Sequence, residues 1–317
     1  MQERLTMSTT QPITDWTIDR LGDLTGKRYL ITGGNSGVGY EVAAHLRRAN
    51  ADVFLGCRST TKGAAAAATL GRIPSVGGVE MIELDLASVE SIHGANDAIR
   101  TLTDGLDGVV NNAGIMQTPQ QKTAEGFELQ FGTNHLGHFL LNHLTFDLVT
   151  ARSGRIVPVS SIAHRSAPGI NFDDPMFTDD YSPSKTYSQS KLANLMYGVE
   201  LARRLDAAGS AVICASAHPG YSATNLQSTG PTGLFRIIYK VTNRLMAQDP
   251  ALGALPEVLA VAGDEARNGA YYGPTRFGES RGPVGEAHIS DAARNPAAAA
   301  RLWTLSEDLL GITWQIA

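Results

Sequence analysis

The stretch KRYLITGGNSGVGYEVAAHLRRA, Lys27 to Ala49, decides how the rest of the chain is read. Lys27 to Thr32 is a short apolar run, Tyr40 to Ala49 carries helical spacing, and TGGNSGVG (Thr32 to Gly39) lies between them, giving strand, glycine turn and helix. In such a turn phosphate oxygens meet backbone N–H groups at the positive end of a helix. Gly33, Gly37 and Gly39 let the backbone bend and approach a phosphate with no Cβ in the way. A glycine triplet alone serves equally well as a tight turn that binds nothing. The strand and helix around this one point to a bound dinucleotide, with Asn35, Ser36 and Val38 as further candidate contacts.

The pattern repeats along the chain. Ala51 to Cys57 reads as a second strand, an Ala-rich helix follows, Val79 to Leu84 makes a third strand and Leu106 to Asn111 a fourth. A long helix is expected through Phe127 to Val149. Arg155 to Ser160 and Ala211 to Ala217 supply two more buried strands, and Tyr271 and Tyr272 start a last one. Strands alternating with helices imply an α/β fold, a doubly wound parallel sheet covered on both faces. The polar, aperiodic residues 1–24 read as an arm, mobile or packed on the surface, in front of one domain over 25–317.

Composition narrows the function. The 317 residues are 43% hydrophobic and 18% charged, which fits a globular protein of ordinary composition. A net charge of -5, with no cluster of Lys or Arg, gives no electrostatic footprint for nucleic acid. Cys57 and Cys214 lie in apolar runs and suggest neither a disulfide framework nor a metal site. The first residues lack the apolar core of a signal peptide and no apolar stretch is long enough to span a bilayer, so the expected compartment is the cytoplasm, without stable membrane insertion.

At the end of the second strand an acid would bond the adenosine ribose hydroxyls and repel a 2′-phosphate. The residues there are Cys57, Arg58 and Ser59. A guanidinium suits phosphate, with the Ser59 hydroxyl as an extra donor, which favours NADP(H) over NAD(H). Stacking of Arg58 on adenine, or pairing with a surface acid, is the other reading.

Two segments fit Y-x-x-x-K: Tyr181 to Lys185 and Tyr187 to Lys191. Ser182 followed by Pro183 reads as N-cap and first helical residue, which leaves Tyr181 outside the helix and puts Tyr187 and Lys191 on one face of it. A phenol is a sluggish acid or base at neutral pH unless a nearby ammonium favours its anion. Lys191 can supply that charge.

TGGNSGVG, NNAG at Asn111 to Gly114, Asn134 in GTNHLGHF, Ser161 in IVPVSSIAH, YSQSK and HPG at His218 to Gly220 occur in the order of the short-chain dehydrogenase/reductase family, which the chain resembles from about Leu24 to Ala270. CRS after the second strand, YSQSKLAN, and the long stretch from Ser161 to Tyr187 look most like its retinol-dehydrogenase-like branch. The resemblance implies a Rossmann fold, and a catalytic set of Asn134, Ser161, Tyr187 and Lys191, with Ser160 as the alternative serine. In carbonyl reduction Tyr187 would protonate the oxygen and Ser161 would hydrogen-bond it. Lys191 would lower the Tyr187 pKa and hold the nicotinamide ribose, and Asn134 would order a water. The family pattern also places Asp85 and Leu86 at the adenine edge. Asn112, Ala113 and Gly114 would line the cofactor, Pro219 and Gly220 would face the nicotinamide, and Thr224 would reach its carboxamide or a phosphate. A loop N-cap is an equal reading for Thr224.

The implied activity interconverts a small apolar alcohol and its carbonyl compound, in a homodimer or homotetramer built on the Asn134 and Tyr187 helices. A sensor or scaffold that binds NADP without turnover is the alternative, although such relatives typically lose the Tyr or Lys. An epimerase or dehydratase acting on nucleotide sugars would want a longer C-terminal domain. His135, His138 and His143 invite a metal reading, but the ligand set of a zinc site is missing. His164 and His218 read as loop structure beside the site. The segment from about 221 to 250, with Leu234, Phe235, Ile238, Tyr239 and Leu245, reads as a substrate lid, a core-covering helix or a membrane-surface contact.

Overall fold

A computed structural model describes residues 12–221 and 248–316. Thr224 and the apolar residues of the expected lid lie outside the described residues. Six strands form one parallel sheet: β1 (Arg28–Thr32), β2 (Asp52–Cys57), β3 (Val79–Glu83), β4 (Gly108–Asn111), β5 (Arg155–Pro158) and β6 (Ile213–Cys214). Their spatial order is β3-β2-β1-β4-β5-β6, so the chain builds outward from β1 in both directions. In such a sheet the crevice beyond the carboxyl ends of β1 and β4 is where ligands bind.

The alternation of side chains along each strand explains the two layers of helices. Tyr29, Ile31, Val110 and Val157 point into one core, shared with α1 (Gly37–Arg48) and α2 (Thr60–Leu70). Leu30, Val109 and Ile156 point into the other, shared with α3 (Val89–Leu102), α5 (Gly137–Thr150) and α6 (Pro183–Ala207). Both faces of the central strands are buried, hence their near-continuous apolar sequences.

The helix expected through Phe127 to Val149 is interrupted. A short turn, α4 (Leu129–Phe131), runs into a π-helical segment, Gly132–Leu136, before α5 begins. The strand expected over Ala211 to Ala217 is also split: β6 is followed by β7 (Ser216–Ala217), which pairs in parallel with β8 (Tyr271–Arg276). After β7 come α7 (Pro250–Gly253) and α8 (Leu255–Ala262), the latter on the α1 side of the sheet.

The last strand expected at Tyr271 proves to be half of a hairpin, since β8 turns back into antiparallel β9 (Arg281–Glu286). Against β9 pack residues of the N-terminal arm: Trp16 is buried and its N–H donates to the Val284 carbonyl at 2.9 Å. The short α9 (Asp291–Arg294) and α10 (Pro296–Leu310) follow. Trp303 of α10 stacks on Tyr197 of α6, so α10 covers a face of α6 that the sequence reading left open for assembly. Among the described residues no helix is long and apolar enough to cross a membrane.

Candidate active site

Beyond β1 the backbone turns through Gly33 at φ +69° and enters α1 at Gly37 with φ +60°, both in the region that favours glycine. A Cβ on Gly39 would lie 2.3 Å from Asn112 Nδ2, so the bare helix backbone packs directly on the Asn112 side chain of the facing loop. That loop is tied to β1: Asn112 Nδ2 donates to the Thr32 carbonyl at 2.8 Å and the Ala113 N–H to the Thr32 hydroxyl at 2.9 Å. Ser36 stands at the N-cap of α1 with no side-chain bond to its first turn, Asn35 is half-buried and Val38 is buried. The first N–H groups of α1 therefore face the crevice without a capping side chain. This geometry fits a dinucleotide pyrophosphate.

Arg58 is exposed just past β2, and among the described residues it makes no hydrogen bond or ion pair. Ser59 is committed as the N-cap of α2, its oxygen accepting from the Lys62 N–H at 3.4 Å. Asp85 stands at the end of β3, where its carboxylate accepts from the Ala87 N–H, and Leu86 beside it is buried. At the far side Gly220 has φ +66° and a Cβ there would strike the Ser280 carbonyl at 2.5 Å. The carbonyl of Pro219 accepts from Gln248 Nε2.

The π-helical segment sets Asn134, which is fully buried. Such bulges recur at functional sites because they break the regular carbonyl ladder. Its side chain exchanges two bonds with the Ile115 backbone, at 2.8 and 2.9 Å, and donates to Ser190 Oγ at 2.9 Å. The Asn134 carbonyl meets His138 Nδ1 at 2.9 Å, while His138 Nε2 meets the Thr32 hydroxyl at 2.9 Å. Burial holds His138 down at about 4, with the Lys191 charge adding to the effect, so it is neutral. With Nδ1 protonated, it donates to Asn134 and accepts from Thr32, linking this segment to the end of β1.

Lys191 lies one turn beyond Tyr187 on α6, almost fully buried, and its Nζ donates to the Val159 carbonyl at 3.1 Å. Nζ lies 6.0 Å from the centroid of the half-buried Tyr187 ring. A Cβ on Gly114 would come within 3.2 Å of Asn134 Oδ1 and 3.5 Å of Lys191 Nζ, so the loop after β4 joins this cluster. Burial pushes Lys191 down to about 8.

The two serines separate cleanly. Ser160 is buried and its hydroxyl donates to the Lys191 carbonyl at 2.7 Å, which fastens β5 to α6. Ser161 is half-buried at the N-cap of the 3-10 turn Ile162–Ser166. Its hydroxyl accepts from the Ala163 N–H and keeps its proton to donate. The start of α6 separates the members of the other pair. Tyr181 donates to the Thr118 carbonyl at 2.8 Å before α6 begins, and Lys185 is exposed beside Asp180.

A short chain dehydrogenase family model matches residues 27–233. The chain belongs to the short-chain dehydrogenase/reductase family. Homo sapiens retinol dehydrogenase 14 is 37% identical over 308 residues, covering 92% of this chain and 88% of its own length. Homo sapiens retinol dehydrogenase 13 is 37% identical over 298 residues, 91% of this chain and 86% of its own. A crystal structure from Mycobacterium paratuberculosis is 39% identical, with a TM-score of 0.79 over 96% of this chain and 100% of the other. These likenesses put this short-chain dehydrogenase/reductase in the retinol-dehydrogenase-like branch, an oxidoreductase acting on CH–OH groups with a nicotinamide dinucleotide. A short-chain dehydrogenase from Burkholderia cenocepacia, 23% identical with a TM-score of 0.61 over 79% of this chain and 96% of the other, shares the fold.

The histidines of this dehydrogenase/reductase have separate partners. His135 meets Ser306 Oγ, His138 bridges Thr32 and Asn134, and His143 packs against Trp314. His164 Nδ1 meets the Ser161 carbonyl at 2.6 Å and burial holds it at about 4, so it donates there as a neutral ring.

Two acids escaped the sequence reading. Glu279, at the tip of the β8–β9 hairpin, pairs with Arg165 and lies 3.3 Å from His218 Nε2, clamping the hairpin onto the loops after β5 and β7. Its place in a glycine-rich turn gave no signal. Glu257 is fully buried in α8. An acid inside the apolar run LPEVLAVA was a readable signal.

Proposed function

We propose that the chain is an NADP(H)-dependent oxidoreductase that interconverts an apolar alcohol and its carbonyl compound, with Tyr187 as acid and base. The observation that carries this reading is the position of Lys191 Nζ, 6.0 Å from the Tyr187 ring centroid and bonded to the Val159 carbonyl. In reduction Tyr187 gives its phenolic proton to the carbonyl oxygen while the Ser161 hydroxyl donates to the same oxygen. Reduced nicotinamide, when bound, supplies the hydride. Lys191 stabilises the phenolate that Tyr187 leaves behind and binds the ribose, and the Asn134 segment holds the water through which the proton is replaced. Oxidation runs the same steps in reverse.

NADP(H) is preferred because Arg58 stands exposed beyond β2 where NAD-binding chains want a carboxylate. The Burkholderia cenocepacia relative was solved with NADP, which agrees with this preference. The named activity of the retinol dehydrogenase relatives makes a long apolar primary alcohol, or its aldehyde, the first substrate class to offer. We read residues 25–317 as one domain, with residues 1–24 as its arm. Homodimer or homotetramer assembly and a cytoplasmic location complete the reading.

Loss of NADPH absorbance across a panel of retinoids, aliphatic aldehydes, ketones, steroids and quinones tests this, with NADH alongside. Turnover of an apolar carbonyl with NADPH supports the proposal. Tight NADPH binding with no turnover of any member favours the sensor alternative.

A further inference from the structure

Lys191 carries a buried positive charge with no carboxylate in contact: among the described residues its Nζ has one hydrogen-bond partner, the neutral Val159 carbonyl. Glu257 is the complementary anomaly. Its side chain is fully buried, and neither carboxylate oxygen has a hydrogen-bond partner among the described residues. An acid so placed costs several kcal/mol if ionised without compensation, and a fold gains nothing from it that an apolar residue would not supply.

Position relates the two. α8 packs across β4, β5, β7 and β8 on the face opposite α6. Glu257 lies in its first turn. Lys191 reaches from α6 to the end of β5, and the loop after β4 closes on it through Gly114. Arg155, at the start of β5, bonds the far end of α8, so the first turn of α8 with Glu257 and the Nζ of Lys191 approach the same end of the central strands from opposite faces.

Other charged groups packed on α8 are engaged elsewhere. Arg155 of β5 donates to the Gly263 carbonyl beyond the last turn of α8, and His45 of α1 meets the Ala251 carbonyl in α7. Tyr272 of β8 accepts from the Arg267 N–H, and Glu286 of β9 pairs with Arg267. Tyr271 of β8 lies between His164 and His218. β4 and β7 bring no titratable side chain.

We propose that Glu257 is a positioning residue for the reaction, a buried acid that gives up its proton in place of Lys191 and so keeps that lysine an ammonium facing Tyr187. The proposal rests on the catalytic reading of Lys191. Burial pushes Glu257 up to about 8 and Lys191 down to about 8. As pH rises the site must shed a proton. When the carboxyl releases it, the new negative charge holds the lysine proton more tightly; with no acid there, the lysine releases its own. The acid therefore widens, on the alkaline side, the range in which Lys191 can polarise Tyr187.

The test is the titration of Lys191 itself, followed by NMR in full-length protein labelled with ¹³C at lysine Cε, its signal assigned by loss in Lys191→Met. In Glu257→Gln the lysine midpoint falls by about one pH unit, the order expected for removing one nearby opposite charge. The alkaline limb of kcat falls by the same amount, while Glu257→Asp keeps the wild-type limb more closely. The thermal midpoint of Glu257→Gln, and of Glu257→Met as a second variant, is unchanged or raised. An unshifted Lys191 midpoint in both Glu257→Gln and Glu257→Met overturns the proposal, as does a large drop in thermal midpoint with the lysine unshifted. A shifted lysine in a protein that turns over none of the substrate panel supports the Glu257 assignment and counts against the oxidoreductase reading alone.

Discussion

Asn112 Nδ2 donates to the carbonyl oxygen of Thr32 at 2.8 Å, which ties the loop after β4 to the end of β1 where the strand order reverses. The crevice is a joint between these elements, and its shape depends on how closely the Asn112 amide packs against the backbone of the glycine turn.

Gly39→Ala tests that dependence. The added Cβ falls 2.3 Å from Asn112 Nδ2 and 2.9 Å from the Gly33 carbonyl, so the amide must leave Thr32 or the turn must open. The expected result is at least a tenfold rise in the Kd for NADPH, about 1.4 kcal/mol, measured by quenching of protein fluorescence. Unchanged affinity would mean that the turn does not shape the cofactor site.

Arg58 has no described partner to lose, so its removal reports on the ligand. Charge-assisted hydrogen bonds are worth about 1.5–3 kcal/mol. Arg58→Ala therefore raises the KM for NADPH by roughly 10- to 100-fold. The KM for NADH changes little. Equal effects on the two cofactors would remove the argument for NADP(H).

Acid exposes the buried histidines. Burial holds His135 at about 3 and His138 and His164 at about 4, all below the ordinary 6.5. The unfolded chain takes up these protons near 6.5 and the folded chain does not, so stability is fully present above that pH and is lost as pH falls towards 4. The slope is about 1.4 kcal/mol per pH unit for each proton. Urea midpoints at pH 7, 6, 5 and 4 follow this. His138→Asn should flatten the curve by one proton, and a curve flat from pH 7 to 4 would contradict the placement.

Much of this architecture is written in short, local signals. β2 was expected over Ala51 to Cys57 and runs Asp52–Cys57, because a strand buried on both faces is a continuous apolar run between breakers. Ser182 and Pro183 marked the start of α6, although the Ser182 side chain makes no cap bond and the proline alone sets the first turn. Long-range features left weaker traces. The segment RGPVGE has no apolar run to announce a strand, and as β9 it pairs with Tyr272 on one side and Trp16 on the other. The π-helical segment at Asn134 keeps the apolar spacing of the helix it interrupts. The roles of His138 and Glu279 depend on contacts across 106 and 61 residues of chain, which no local pattern records.

The central claim is that Tyr187 transfers the proton while leaving the cofactor site intact. The most direct measurement is the kcat of Tyr187→Phe with NADPH and the best substrate of the panel, beside the NADPH Kd of the same protein. A fall in kcat of about 10²- to 10⁴-fold, the range for a general acid, with an unchanged Kd is the predicted result. A variant that keeps most of its turnover would contradict it.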